Sequence, residues 1–487
     1  MRKQPARFLA LLLAMLIVLS GCGYLPTDNT NQQTDATVES EVFQTEAIPE
    51  ERPAEQDSKP DLWIMYGTDT KTGYPPIPFF KHIVEQFTLE YPDVNILLES
   101  IPQDEESLQR LRTQITEGNI PDVMVMSRNS TLITDPYQAM QNGLFMDISE
   151  YYDADTELAE EELHPAIMDA GVYDGHRYII PYSYDFPVAY VDVRQFESLG
   201  GSLDMFDGGI MKLYENLFAT GNPKLIWGTG ISYPSQRIHS FNCLPELLDY
   251  ENLEVLITAE EIAQFLKAVQ SARATQPFDT EALPYPNFMT KPHLDELKTY
   301  GTWMDYTSMY IGVMPEHVTN VGFTKMSGTE IQSIPITAAD GDLVADILYY
   351  GAVGAGCEKP ELAYAFLRTI STVFRNEPPF TPHSIISFGW PVRITDSAAN
   401  MANGSRDAFS EFKYFYLDSP FPEITNDDIP FLDVEIDRVQ FYTSLESDLS
   451  DIIDTLNDPS TGAPTDVDID AIAADFVKEL EQHLYEG

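Results

Sequence analysis

Cysteine is nearly missing from this chain: there are three in 487 residues, at Cys22, Cys243 and Cys357. So few cannot build a disulfide framework, so an apolar core has to hold the fold. Basic residues are scarce too. Lys and Arg number 28 against 78 Asp and Glu, for a formal charge of −50. Such a surface lacks the cationic footprint that nucleic acid requires and is repelled by anionic lipid headgroups. The eight His are scattered with no His-Glu-x-x-His metal motif, and no Gly-x-Ser-x-Gly elbow occurs. The glycine-rich run Gly351-Ala352-Val353-Gly354-Ala355-Gly356 lacks the Lys-Ser/Thr ending of a phosphate loop and reads as a strand-to-helix turn. With 78 carboxylates, chance acidic pairs are everywhere, so no pair marks a glycoside hydrolase. The reading is of a protein that is not an enzyme and needs no metal or cofactor.

Long apolar runs are confined to the N-terminus. Arg2, Lys3 and Arg7 precede an unbroken run from Phe8 to Leu19, followed by Ser20, Gly21 and Cys22. A basic region, a short apolar region and small residues at the cut are the pattern of an export signal. The run is too short to span a bilayer, which takes about 20 apolar residues. Leu19-Ser20-Gly21-Cys22 resembles the lipobox of bacterial lipoproteins. That resemblance implies cleavage before Cys22 and lipidation of its thiol, with palmitate-type chains anchoring the protein on the extracytoplasmic face of the cell membrane. An ordinary cleaved signal with an incidental Cys is the plainer alternative. Loss of the three basic residues deepens the charge to about −53. Residues 22–60 are rich in Thr, Gln, Glu, Asp and Pro and read as a disordered acidic tether, spanning on the order of 30–35 Å.

From Asp61 the pattern is that of a globular α/β protein. Leu62 to Tyr66 reads as a buried strand. Phe80, Ile83, Val84, Phe87 and Tyr91 recur at helical spacing until Pro92 stops them. Val94, Ile96 and Leu98 predict a second strand, Leu108, Leu111 and Ile115 a second helix closed by Gly118, and Val123 to Met126 a third strand. Strand and helix in alternation predict a parallel sheet. Further on, Tyr178 to Pro181 and Pro187 to Val191 read as strands flanking a loop at Tyr182 to Phe186. Tyr310 to Val313 reads as a strand and Lys359 to Phe374 as a helix. Two C-terminal helices are expected, one carrying Val439, Tyr442, Leu445, Leu449 and Ile452, the other Ile469, Ile472, Phe476, Leu480 and Leu484.

Several phrases then fall in a familiar order: Leu89-Glu90-Tyr91-Pro92-Asp93-Val94, Gly118-Asn119-Ile120-Pro121-Asp122-Val123, Gly175-His176-Arg177-Tyr178-Ile179-Ile180-Pro181, Lys359 through Leu367, and Gly389-Trp390-Pro391-Val392-Arg393. This order resembles the extracellular solute-binding proteins of bacterial ABC importers, and most closely their sugar-binding, family 1 branch. The resemblance spans about residues 61–486 and is poor over 201–309. It implies an α/β, two-lobed, periplasmic-binding-protein-like fold with discontinuous lobes and a hinge. Residues 61–184 and 346–395 would form lobe 1, and 185–345 and 396–487 lobe 2. It also implies a monomer that delivers a carbohydrate, an oligosaccharide in particular, to the transmembrane subunits of an ABC permease. Three other readings stand beside it: a sensor or adhesin on the same fold, an importer of a peptide or polyamine, and an anchored glycoside hydrolase.

By position, the resemblance nominates ligand contacts on loops after strands: Tyr66, Thr68 and Asp69; Ser127, Arg128 and Asn129; Tyr184 and Asp185; Tyr233; and Trp390. Carboxylates and amides suit sugar hydroxyls, and aromatic rings suit sugar C–H faces. Each has a plainer reading. Tyr66, Tyr233 and Trp390 suit core packing equally well, Asp185 could cap a turn, and Arg128 could join a surface ion pair. The chain departs from the family after Val313: Met314-Pro315-Glu316-His317 stands where many sugar binders carry a Trp.

Overall fold

The computed structural model describes residues 60–67, 77–128, 130–159, 163–227, 244–274, 302–306, 310–311, 314–315, 331–376, 390–391, 435–458 and 461–485. Cys22, Thr68, Asp69, Asn129, Tyr233 and Cys243 lie outside them, as does the signal and tether region before Pro60.

Strand β1 (Leu62–Tyr66) is followed by helix α1 (Ile77–Glu90), β2 (Ile96–Ser100), α2 (Glu105–Thr116) and β3 (Val123–Ser127). The strand–helix alternation places β2 and β3 parallel to β1 on its two sides. Phe80, Ile83 and Phe87 of α1 are buried, because their three-to-four spacing puts them on one face. Asp104 caps α2 by accepting a hydrogen bond from the Ser107 amide at 2.8 Å. Gly118, at φ +89°, turns the chain out of that helix. Asp122 then accepts from the Trp63 amide at 2.8 Å, which joins the end of this phrase to β1.

After the short helix α3 (Pro136–Gln141) comes β4 (Ile179–Asp185). The loop expected at Tyr182 to Phe186 is instead strand as far as Asp185. The polar residues that suggested a loop are held by a long neighbour, β8, which pairs with β4 from Asp185 back to Ile179. The chain then leaves this sheet. Strand β5 (Pro187–Asp192) is the centre of a separate three-stranded antiparallel sheet with β6 (Thr302–Tyr306) and β7 (Ile331–Pro335). Helices α4 (Gly209–Ala219) and α5 (Ala259–Ala274) lie between β5 and β6 in the sequence.

Strand β8 (Val344–Val353) returns to the first sheet and is buried along its whole length. Helix α6 (Pro360–Asn376) follows, and Phe366 meets Phe87 edge to face at 5.3 Å. Then come β9 (Trp390–Pro391), β10 (Arg438–Phe441), α7 (Ser444–Thr455) and α8 (Ile469–Tyr485). The sheet order is β9-β4-β8-β3-β1-β2, with β10 also on β8. It is a mixed sheet: β8 runs antiparallel to both β3 and β4. Val439, expected in a helix, lies in β10. The β8 edge beyond its pairing with Ser127 takes residues 438–441 as a parallel strand, and the helix starts only at Ser444.

Two cores result. The first holds β1, β3, β4 and β8 with Phe80, Phe87 and Phe366. The second gathers Ala189, Val191, Leu213, Phe265, Leu449, Phe476 and Leu480 from β5, α4, α5, α7 and α8. Among the described residues the chain passes between them three times, between Val188 and Ala189, between Ile336 and Leu343, and between Phe441 and Leu445. No described helix is long and apolar enough to cross a membrane.

Candidate functional site

The ends of β3 and β4 and the start of β8 lie where the chain leaves and re-enters the first core. Asp185 closes β4, two residues before β5 begins in the other sheet. Its cross-strand partner is Asp346 of β8, and Asp346 in turn pairs with Gln440 of β10. Directly opposed residues in neighbouring strands project to the same face. Asp185, Asp346 and Gln440 therefore form one row across three strands, each adjoining a different passage between the cores.

The row is buried. Asp185 is 2% exposed and Asp346 0%. A carboxylate taken out of water needs compensation. Arg128, the first residue after β3, brings a guanidinium nitrogen to 3.5 Å from Asp185 Oδ2. Gln440 donates from Nε2 to Asp346 Oδ1 at 2.8 Å. Arg128 is itself placed by its amide, which donates to the Leu348 carbonyl at 2.7 Å. The four side chains carry two acids, one cation and one amide, a net charge of −1 by formal count, and so offer both donors and acceptors. Arg128 keeps 24% of its side chain exposed, so the row reaches solvent at that end.

Five of the nominated residues lie at neighbouring strand positions of this sheet, but Tyr184, next to Asp185 in β4, projects to the opposite face, its ring centroid 5.7 Å from that of His164. Ser127 ends β3 and Arg128 follows it, Tyr184 and Asp185 end β4, and Trp390 of β9 pairs with Tyr184. Burial raises the Tyr184 phenol well above its usual range, which keeps it a neutral donor. Ser127 is buried, and its hydroxyl has no hydrogen-bond partner among the described residues. Tyr66 also ends its strand in this sheet, but its ring is buried in the core against Phe80, with centroids 4.1 Å apart. Thr68, Asp69, Asn129 and Tyr233 fall outside the described residues.

Sequence reasoning missed Asp346, Gln440 and Ser183. Asp346 left a signal: it is the one charged residue in the apolar run Val344 to Val353. A lone acid in a strand buried on both faces calls for a partner. Gln440 left none, since its partner lies 94 residues away. Ser183 shares Tyr349 of β8 as a cross-strand neighbour with Ser127, which only pairing on both sides of β8 reveals. Among the described residues no group of three His, Cys, Asp or Glu is arranged to hold a metal ion.

Two cores joined by crossing segments among the described residues define a two-lobed α/β fold. Residues 82–373 match the family model of the bacterial extracellular solute-binding proteins, and the chain belongs to that family. Its members are non-enzymatic carriers that work outside the cytoplasm. Among solved structures, the chain is similar to the sugar-binding protein MalE from Xanthomonas citri, at 13% identity over 87% of this chain and 97% of that one, with a TM-score of 0.53. It is also similar to a periplasmic solute-binding protein from Pectobacterium atrosepticum, at 13% identity, 87% and 98% coverage and a TM-score of 0.49. The galacto-N-biose/lacto-N-biose I-binding protein of Bifidobacterium longum matches at 14% identity, 87% and 97% coverage and a TM-score of 0.48. No curated protein matches the sequence.

Proposed function

We propose that this protein is the substrate-binding component of an ABC importer and that its ligand is a carbohydrate, an oligosaccharide in particular. Lipidated Cys22 holds it on the outer face of the bacterial membrane, and residues 22–60 tether it there. The proposed lobes are residues 61–184 and 346–395 on one side and 185–345 and 396–487 on the other, although the first core also takes in Phe186, Val188, Leu343, Ala345, Ile436 and Phe441. Ligand bound between the lobes favours the closed form, which the permease recognises.

The observation that carries this reading is the row Arg128, Asp185, Asp346 and Gln440 at the passages between the cores. Carboxylates accept sugar hydroxyls, the guanidinium and amide donate to ring and hydroxyl oxygens, and aromatic residues stack on C–H faces. Thr68, Asp69, Asn129 and Tyr233 complete the proposed contact set, while Tyr66 packs in the core. MalE from Xanthomonas citri, a sugar-binding protein, shares this fold. A second reading rests on the same row: two carboxylates to one guanidinium also suit an amine-bearing ligand such as a polyamine.

The test is a thermal-shift screen of the mature chain carrying Cys22→Ser against oligosaccharides, monosaccharides, peptides and polyamines. A ligand specific to the native state adds about 2.7 kcal/mol at a hundred times its dissociation constant. A shift with one glycan class supports the proposal and names the substrate. A shift with polyamines or peptides alone overturns the carbohydrate. No shift with any of them favours a sensor or adhesin on this fold.

A further inference from the structure

A second polar cluster joins the two cores at a different place and shares no residue with the Asp185 row. Asp135 precedes α3 on the first core. Its Oδ1 caps that helix, accepting from the amides of Tyr137 at 2.8 Å and Gln138 at 3.1 Å. Its Oδ2 faces the second core. There it meets His483 Nε2 of α8 at 2.5 Å and accepts from the Tyr250 hydroxyl at 2.8 Å. Gln138 reaches across as well, donating to the His483 carbonyl at 2.5 Å. The start of one helix thus closes over the end of another, with a positive terminus facing a negative one. The Tyr137 and Tyr250 rings stack at 4.6 Å over the same junction.

The cluster is sheltered: the Asp135 and His483 side chains are 3% and 14% exposed. Burial and the adjacent Asp135 carboxylate raise the Tyr250 phenol, which keeps it a donor. Two further acids face His483, Asp448 of α7 and Glu479 of α8, both raised by burial and lowered by His483. The cluster also lies at a passage between the cores. The amide of Ser444, where the third passage enters α7, donates to the carbonyl of Thr134, the residue before Asp135. In a hinge rotation, contacts beside a crossing segment move least, so a cluster there acts as a bearing.

We propose that Asp135, Tyr250 and His483 are positioning residues for solute binding, which set the angle between the two cores and through it the balance of open and closed forms. The proposal rests on hinge closure, and its test requires no solute. Spin labels at Gln109→Cys on α2 and Glu260→Cys on α5, both exposed sites, report the distance between the cores. The background carries Cys22→Ser and Cys243→Ser. Buried Cys357 stays, its thiol pushed up to about 12 by burial. Pulsed dipolar spectroscopy is run on this parent and on Asp135→Asn, His483→Gln and Tyr250→Phe. Asn keeps the helix cap, so Asp135→Asn removes charge without removing the capping acceptor. The expected result is a distance distribution that shifts and broadens in Asp135→Asn and His483→Gln, and less in Tyr250→Phe. Distributions that superimpose on the parent overturn the proposal, whether or not the melting temperature falls, because a purely structural contact would change stability and leave the angle alone. Should Asp135→Asn fail to fold, the other two variants decide by the same criterion.

Discussion

Asp185 is the residue on which the proposed binding site turns. It is buried, faces Arg128 at 3.5 Å and sits two residues from the second sheet. Removing one partner of a buried charge pair costs about 2–5 kcal/mol of binding, much of it from the charge left behind. Asp185→Ala is expected to lose that much affinity in calorimetry while keeping a cooperative melt; unchanged affinity removes Asp185 from the site. Cys357 provides a prediction about pH. Burial raises its thiol to about 12. The unfolded thiol loses its proton near pH 8.5, the folded one does not, so stability falls as pH rises above about 8.5, by up to about 1.4 kcal/mol per unit. Denaturant midpoints at pH 7.5 and pH 10 for the chain and for Cys357→Ala should diverge in that direction, and parallel midpoints would refute it. Asp185 and Arg128 were nominated from the sequence by their position in the family resemblance, on segments after strands. Asp346 left only the signal of a lone charge in an apolar run, and its partner Gln440 left none, because their pairing spans 94 residues.

At the scale of elements, the phrases that carried the family resemblance have structural tasks. Lys359, just before α6, forms an ion pair with Asp61 at the start of β1. Of the glycine run expected to be a strand-to-helix turn, Gly351 to Val353 belong to β8 and only Gly354 to Gly356 form the turn. Gly354 is there because of a close approach: a Cβ at that position would stand 2.1 Å from the Pro121 carbonyl oxygen. Backbone cannot step aside as a flexible side chain can, so Gly354→Ala should destabilise by about 1–3 kcal/mol, read as a lower urea midpoint. Gly118→Ala meets nothing within 4 Å but sits at φ +89°, so it should cost backbone strain instead of a clash. The helices at α1, α2, α6 and α8 could be read from their periodicity. Strand β10 could not, since Val439, Tyr442 and Leu445 also fit a helical spacing. An open edge of β8 decided the matter.

For the whole molecule, a charge of −50 on one folded chain repels itself. Exposed like charges are screened within about 8 Å at physiological salt. The melting temperature should therefore rise between about 10 mM and 150 mM sodium chloride; a melting point independent of salt would show that local pairs such as Lys267 with Asp470 already offset the excess. The same scale separates what was written locally from what was not. Apolar periodicity, helix stops, the shortage of cysteine and the acid excess are properties of neighbouring residues, and the sequence by itself determined an α/β protein held by its core. Which strands lie side by side was decided only in three dimensions. The row Asp185, Asp346 and Gln440 and the bearing Asp135, Tyr250 and His483 each join segments more than ninety residues apart. Local pattern carries no register between such segments. Their meeting follows from burying two apolar cores at once, which brings the polar residues at the passages against one another.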